Sequence, residues 1–176
     1  DSSVGLVVDG IDFSNLGLAG GVYDIEQVEV LRGPQGSSFG SSAMAGLINI
    51  QSSAPTEQFE GRVDLGAGNY GAKSLGVVAS GTVSEGLLGR FSVNKNTGDG
   101  YIENDFLNRD NANNIDELSA RVKLNWTATD DLKLDLTAIY IDADNGYDVF
   151  SLENTRNNRS DEPGHDRQES SALSLL

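Results

Sequence analysis

The sequence predicts a mostly β protein in which a compact mixed domain precedes long antiparallel strands like those of a transmembrane β-barrel. Apolar and polar residues alternate with period two over segments of about ten residues, whereas a strand of a globular protein usually has about five or six. Short turns and two long polar connections join these segments, as in outer-membrane barrels. A soluble antiparallel sandwich shares the alternation and is the second interpretation of the pattern.

Residues 1–55 are expected to form the compact mixed domain, because they are rich in glycine and their apolar segments are short. A brief helix is predicted around Ser41–Ala45. The polar stretch 51–57 separates this part from the rest, and Pro55 within it interrupts any strand. We therefore place the second domain at 56–176. Short strands of the first domain are expected at Val4–Val8, Val28–Leu31 and Leu47–Ile50.

Six strands are predicted in the second domain, at about 60–68, 72–82, 87–97, 117–126, 132–140 and 168–176. In the fourth of these, the residues expected to face lipid are Leu118, Ala120, Val122, Leu124 and Trp126. Arg121 and Lys123 alternate with them and are expected to face the lumen. The long connections 98–116 and 142–167 are polar and acidic, and we expect both to be extracellular loops.

Composition excludes several classes of function. The 27 acidic and 12 basic residues give a formal net charge of -15, and a nucleic-acid partner requires a basic surface. With one histidine and no cysteine, neither an ordinary zinc site nor a thiol nucleophile is expected. No carboxylate pair is placed for acid–base work, so we expect no enzyme activity, catalytic residue, metal site or cofactor. No apolar run reaches the roughly 18 residues of a membrane-spanning helix.

Three local motifs are assigned ordinary structural roles. The stretch Gly66–Gly71 has the G-x-G-x-x-G spacing of dinucleotide sites, but a strand pattern follows it instead of a helix, so we predict a tight turn. Oxygen ligands are dense in Asp142–Asp148, but Gly146 and Tyr147 do not fit a calcium loop, which favours a solvated acidic loop. His165 is interpreted as a loop histidine in water.

The most specific pattern runs from Asp24 to Ile50. Physically it is a strand, a turn in which Pro34 fixes φ and glycines permit positive φ, a small-residue stretch and a returning strand. It contains Ile25-Glu26, Val28-Glu29-Val30, Arg32-Gly33-Pro34, Phe39-Gly40, Ala43, Gly46 and Leu47-Ile48-Asn49-Ile50, and then Pro55. This order resembles the C-terminal part of the plug domain of TonB-dependent outer-membrane receptors. The preceding segment Val7–Ile11 is similar to an earlier strand of the same plug.

The resemblance implies a barrel of about 22 strands, closed by an N-terminal plug, in the outer membrane of a Gram-negative bacterium. It implies the import of a scarce nutrient such as a ferric siderophore. The implied partners are the TonB complex of the inner membrane, outer-membrane lipid and the small nutrient ligand. Both ends of the sequence interrupt a pattern, and the TonB-binding segment is not in it. We therefore expect a piece of a longer chain, with the C-terminal part of the plug at 1–55 and about the first six barrel strands at 56–176.

The resemblance also assigns structural positions in the plug, namely Glu29, Arg32, Gly33, Pro34, Gly40, Gly46 and Asn49. Of these, Glu29 and Arg32 are expected to form charged pairs with the barrel wall, and the alternative is that they are surface charges beside a turn. No substrate-binding residue is assigned, because in this family plug apices and many barrel loops form that site together. The alternative function is a soluble β-rich binding or adhesion module.

Overall fold

The structure is a computed structural model that describes residues 4–14, 22–34, 44–147, 155–161 and 164–176. A small sheet contains β1 (Val4–Val8), β2 (Ile11–Asp12), β3 (Ile25–Arg32) and β4 (Gly46–Ser52). A large sheet contains β5 (Glu60–Ala67), β6 (Lys73–Ser84), β7 (Leu87–Gly98), β9 (Ile115–Thr129), β10 (Leu132–Gly146) and β12 (His165–Leu175). The short strands β8 (Glu103–Asn104) and β11 (Asn157–Asn158) pair with each other. The mostly β class is thus confirmed, and no described residue belongs to a helix long and apolar enough to cross a membrane.

The small sheet has the strand order β2–β1–β4–β3, with β1 parallel to β4 and the other pairs antiparallel. The β1–β2 hairpin turns through Asp9 and Gly10, whose φ angles are 49° and 79°. Asp-Gly is a favoured dipeptide for a two-residue turn with positive φ at both positions. The helix predicted around Ser41–Ala45 lies mostly outside the described residues, and the two described ones, Met44 and Ala45, form a bend.

The large sheet is an antiparallel meander in which all six predicted strands are confirmed. The glycine-rich segment at 66–71 ends β5 and turns the chain into β6, as the sequence predicts. Tyr70 and Gly71 take positive φ angles of 57° and 67° in this turn. The other short connections, Glu85-Gly86 and Asp130-Asp131, lie at the opposite end of the sheet.

The long strands extend further than the sequence predicts. β9 and β10 have 15 residues each instead of about ten, so the long connections shrink to 99–114 and 147–164. In the added part of β10 the outward side chains Asp142 and Asp144 are polar, whereas the apolar residues Ile141 and Ala143 lie on the inner face, so the outward apolar alternation ends before them. The segment interpreted as an acidic loop at 142–146 is therefore the end of β10. His165 begins β12, and its Nδ1 lies 2.9 Å from Oδ1 of Asp144, which corrects its assignment to a loop.

The two faces of the large sheet differ in chemistry. The outward side chains of β9 are Leu118, Ala120, Val122, Leu124 and Trp126, as predicted, and Trp126 at the short-turn end is 48% exposed. Val122 lies beside Phe91 of β7 and Ala138 of β10, so the apolar surface continues across strands. Farther toward the long connections, this face becomes polar at Thr97 and Asp116. The outer face is thus an apolar belt with a polar edge.

The inner face of the large sheet packs against the small sheet. Leu6, Phe13 and Ile50 of the small-sheet region form one buried cluster with Ile139 and Ile141 of β10. Each of these five side chains is at most 7% exposed. Because burial of such a side chain contributes about 1.5–3 kcal/mol, this cluster holds one side of the small sheet against β10 and β12. The inner faces of β7 and β9 contact the small sheet through charged groups instead.

We expect Val122→Arg to destabilise the folded protein by about 2–4 kcal/mol, because the substitution puts a charge in the apolar belt. Thr97→Arg is the matched control, since Thr97 points to the same side at the polar edge and should tolerate the charge. The measurement is the free energy of unfolding of the intact protein in lipid or detergent. Equal costs for the two substitutions would contradict the assigned belt.

Candidate functional site: a charged interface between the two sheets

Two aspartates of the small sheet point into the interface because both have a backbone with positive φ. Asp9 lies in the β1–β2 turn, and Asp24 immediately precedes β3 with a φ angle of 56°. Aspartate is among the few non-glycine residues that tolerate positive φ. The carboxyl groups are nearly enclosed, with 6% of the Asp9 side chain and 3% of the Asp24 side chain exposed. Buried carboxylates require partners, and the large sheet supplies them.

Asp24 is held by Arg90 of β7 in a bidentate ion pair. Nε of Arg90 donates to Oδ2 of Asp24 at 2.8 Å, and Nη2 donates to Oδ1 at 2.7 Å. The third nitrogen of Arg90, Nη1, donates to the Glu60 carboxylate at 3.2 Å and to the carbonyl of Ala54 at 3.4 Å. The Arg90 side chain is only 8% exposed. This geometry matches the planar guanidinium to the planar carboxylate and fixes the orientation of both.

Asp9 is held by β4 and by two cations of β9. Its Oδ1 accepts the backbone N–H of Ser52 at 2.9 Å, and its Oδ2 accepts the Ser52 hydroxyl at 2.7 Å. Nζ of Lys123 donates to Oδ1 at 3.2 Å and also reaches the carbonyl of Ser52 at 3.2 Å. Nε of Arg121 lies 3.4 Å from Oδ2. The predicted lumen-facing residues Arg121 and Lys123 therefore face the small sheet, opposite the apolar belt.

Tyr23 fits into a gap that a glycine leaves in the large sheet. A Cβ atom on Gly76 of β6 would lie 2.6 Å from the Tyr23 ring, so the ring occupies the space that a side chain would need. The Tyr23 hydroxyl donates to Asp64 at 2.8 Å, and the Arg62 guanidinium lies 5.3 Å from the ring centre. The Tyr23 carbonyl accepts Nη1 of Arg121 at 3.3 Å. Shape and charge therefore position the residue next to Asp24.

Both interface aspartates are stabilised in the charged form. Burial raises the pKa of Asp24, but hydrogen bonds and positive charge from Arg90 outweigh burial and hold the pKa below its usual 3.8. Burial likewise opposes the hydrogen bonds from Ser52 and the charges of Lys123 and Arg121, which together lower the pKa of Asp9. Because the folded-state pKa values are depressed, the stabilisation is present at neutral pH. It is lost as the pH falls below the ordinary aspartate value and through the folded one.

A second feature lies at the end of the large sheet that carries the long connections. A cavity of about 660 Å³ is lined by residues 66–74 and 96–101, together with Asn113 and Ile115. The rings of Tyr70 and Tyr101 lie 6.3 Å apart at this cavity, and the Arg156 guanidinium lies 5.4 Å from the Tyr70 ring centre. The volume is in the range of small-molecule pockets. Among the described residues, no group of three or more His, Asp or Glu side chains could hold a metal ion.

The plug positions assigned by resemblance lie mainly on β3 and β4. Glu29 accepts hydrogen bonds from Gln27 at 2.8 Å and from Asn49 at 3.0 Å, all within the small sheet. Arg32 ends β3, and Gly33 follows with a φ angle of 90° before Pro34. A Cβ on Gly46 would lie 2.8 Å from the Leu31 carbonyl, so glycine permits the close approach of β4 to β3. Gly40 lies outside the described residues.

The charged contacts seen between the sheets use residues that the sequence interpretation did not select. Asp9 and Asp24 both stand inside the motifs quoted for the resemblance, but no property of an isolated aspartate indicates which cation it meets. Their partners are Arg90, Arg121 and Lys123. The available signal was the alternation itself, which places these cations on one face of β7 and β9. Contacts of Glu29 and Arg32 with a barrel wall stay a prediction.

We expect Asp24→Asn and Arg90→Gln each to destabilise the docked small sheet by about 3–5 kcal/mol, because each leaves one buried charge without its partner. The double substitution should cost less than the sum of the two, since neither charge then remains. Thermal unfolding of the intact protein measures this double-mutant cycle. Asp131→Asn serves as the control because Asp131 is exposed in the short turn between β9 and β10. Strictly additive effects would show that the pair is not coupled.

Gly76→Ala should displace Tyr23 and loosen the same interface, because the added methyl group cannot share space with the ring. Gly61→Ala on neighbouring β5 is the control, since its Cβ would meet only ordinary contacts with Phe59 at 3.5 Å. Protease susceptibility of residues 22–34 in the intact protein reports the loosening. Tyr23→Ala in the Gly76→Ala background removes the ring and should relieve its clash with the added methyl group. Unchanged protease susceptibility in all variants would show that the Tyr23 ring does not occupy the space beside Gly76.

Comparisons with known proteins agree with this architecture. Residues 1–47 match the family model of the TonB-dependent Receptor Plug Domain. The vitamin B12 transporter BtuB of Vibrio vulnificus is 33% identical over 107 residues, which are 57% of this chain and 17% of the transporter. The pesticin receptor of Yersinia enterocolitica is 31% identical over 129 residues, which are 73% of this chain and 19% of the receptor. The chain thus spans about a fifth of the length of the curated relatives it matches.

Solved structures show the same fold. The ferric yersiniabactin uptake receptor FyuA of Yersinia pestis superposes with a TM-score of 0.79 at 24% identity, over 98% of this chain and 29% of that receptor. The ferripyoverdine receptor of Pseudomonas aeruginosa gives a TM-score of 0.72 at 20% identity, over 97% of this chain and 25% of that receptor. The chain belongs to the TonB-dependent receptors, which are outer-membrane proteins of Gram-negative bacteria and are not enzymes.

Proposed function

We propose that the receptor containing this chain imports a scarce nutrient, such as a ferric siderophore, across the outer membrane. In this proposal 1–55 are the C-terminal part of the plug and 56–176 are about the first six barrel strands. The TonB complex of the inner membrane supplies the energy through a segment outside this sequence. The observation that carries the proposal is the small sheet seated on the inner face of the large sheet by the Asp24–Arg90 pair.

The relatives support a small ligand of limited abundance. One similar protein is a vitamin B12 transporter, and the two similar structures are receptors for ferric yersiniabactin and ferripyoverdine. Iron chelates are thus the first candidates and cobalamin is the second. The cavity beside Tyr70 and Tyr101 supports a ligand of this size, because an aromatic-lined pocket of a few hundred Å³ suits a small organic molecule.

The charged interface supports a plug that closes the barrel at rest and can leave it. An apolar interface loses its full hydrophobic stabilisation on separation, whereas separated charges regain water. The pairs of Asp9 and Asp24 therefore orient the plug strongly but oppose its withdrawal less than an apolar contact of equal area. In the same proposal, Glu29 and Arg32 contact wall strands farther round the barrel, which agrees with their place on the edge strand β3.

Uptake assays test the proposed transport. Cells that make the complete receptor should accumulate an iron-labelled siderophore from a panel of chelates, and deletion of TonB should abolish the accumulation. Labelled cobalamin is assayed in parallel to separate the two candidate substrates. Asp24→Asn should alter uptake through the plug, whereas Asp131→Asn, in an exposed turn, should change it less. Uptake of no chelate and no cobalamin, or equal uptake without TonB, would refute the proposed function.

Protease applied to intact cells tests the orientation. If the connections 99–114 and 147–164 are extracellular, protease should cleave there and spare the two-residue turns at 85–86 and 130–131. The reason is that a long polar connection outside the membrane is accessible, whereas a short turn on the periplasmic side is not. Mass spectrometry of the fragments locates the cuts. Cleavage confined to the short turns would reverse the proposed orientation.

A further inference from the structure

We infer that the inner wall carries a basic patch that the plug carboxylates cover at rest and that binds anionic solutes when the plug withdraws. The covered part of the patch consists of Arg90, Arg121 and Lys123, and Arg62 lies at its edge with 51% of its side chain exposed. The inference rests on the proposed transport function, because it requires that the plug moves. It adds a second solute-binding surface to that function, deep in the barrel, and names the charge of the solute.

The four cations converge because antiparallel register brings them to one face. Arg90 of β7 lies directly beside Lys123 of β9. Arg121 precedes Lys123 by two residues in β9 and therefore lies on the same face. Arg62 of β5 lies on the inner side as well, 3.9 Å from Asp24. The chain has a formal net charge of -15, but four cations on one face create a local positive potential that attracts anions.

The charges of this surface balance only when the small sheet is in place. On the wall itself, Glu60 pairs with Arg90 and Asp64 pairs with Arg62, so four cations face two wall carboxylates. Among the described residues, the two remaining positive charges are matched by Asp9 and Asp24 of the small sheet. Withdrawal of that sheet therefore leaves two uncompensated positive charges on the wall.

The covering carboxylates show what chemistry the patch accepts. The Asp24 carboxylate accepts two parallel hydrogen bonds from the Arg90 guanidinium, and any other carboxylate could bind Arg90 in the same bidentate geometry. Lys123 is a compact cation beside it, 17% exposed, and Arg121 is 13% exposed. Within the described structure, Nε of Arg121 is buried without a hydrogen bond, so the guanidinium retains donor capacity. A solute with carboxylate or similar anionic oxygens thus fits the surface that the aspartates vacate.

A thiol placed inside the patch can measure its potential. Ser92 of β7 is 4% exposed and lies between Val78 and Arg121 in the register, and this chain contains no cysteine. The complete receptor carrying Ser92→Cys is compared with the same receptor carrying Asp9→Asn and Asp24→Asn in addition. The probes are three methanethiosulfonate reagents, which are neutral, anionic and cationic. The neutral reagent reports exposure, and the ratio of anionic to cationic rates reports the potential.

The neutral reagent should label the thiol introduced by Ser92→Cys faster after the aspartate substitutions, and the anionic reagent should then exceed the cationic one by roughly tenfold. Adding Arg121→Gln and Lys123→Gln should bring that ratio toward one. Arg167→Gln, on the outer face, should leave it unchanged. A ratio of one or below, a ratio insensitive to Arg121 and Lys123, or no gain in neutral labelling would each overturn the inference.

The uptake assay separates this inference from the proposed function. Normal TonB-dependent uptake with a labelling ratio near one would leave transport standing and remove the patch. A high ratio of anionic to cationic labelling without TonB-dependent uptake would instead refute the transport proposal. It would also refute any role of the patch in the passage of solute through the barrel. Only TonB-dependent uptake together with a high ratio that Arg121 and Lys123 control supports both.

Discussion

The arrangement of the two sheets depends on the requirement that a buried charge has a partner. Asp24 and Arg90 are both nearly enclosed, and their two parallel hydrogen bonds permit one relative position of small and large sheet. A shift of one residue in the register of β7 would turn Arg90 to the apolar outer face and leave Asp24 alone. The same shift in β9 would remove Arg121 and Lys123 from Asp9. The ion pairs therefore specify the register more than they add stability.

The strands were predictable because the outer face of the sheet carries a continuous apolar belt. In β9 the alternation of Leu118 to Trp126 with Arg121 and Lys123 identified both the strand and its two faces. The ends of β9 and β10 were not predictable, since beyond Leu118 the outward positions are occupied by polar residues such as Asp116 and Asp142. Backbone pairing continues there although the hydrophobic signal has ended. The pairing of His165 with Asp144 arises only from that extension.

The interface was predictable in part only. The sequence placed Arg121 and Lys123 on the inward face, and the family resemblance indicated that plug charges meet the wall. It pointed to Glu29 and Arg32, whereas the described contacts involve Asp9 and Asp24. Arg90 is 66 residues from Asp24 along the chain, and Lys123 is 114 residues from Asp9. Contacts this distant follow from register and from how one sheet lies on the other, and neither is encoded in a local pattern.

In the proposed transport, the small sheet must take one resting place and still be separable from it, and the two halves of the interface would divide these tasks. The apolar cluster around Phe13, Ile139 and Ile141 loses its hydrophobic stabilisation when the two sheets separate, because exposing apolar surface to water is unfavourable. At the charged half, the cost of removing ions from water offsets much of their attraction in the closed state, and hydration is regained on opening. The charged half thus fixes orientation at a small net energy. In the proposed transport, the wall keeps more positive than negative charge when the plug leaves, so the residues that hold the plug would also attract an anionic solute.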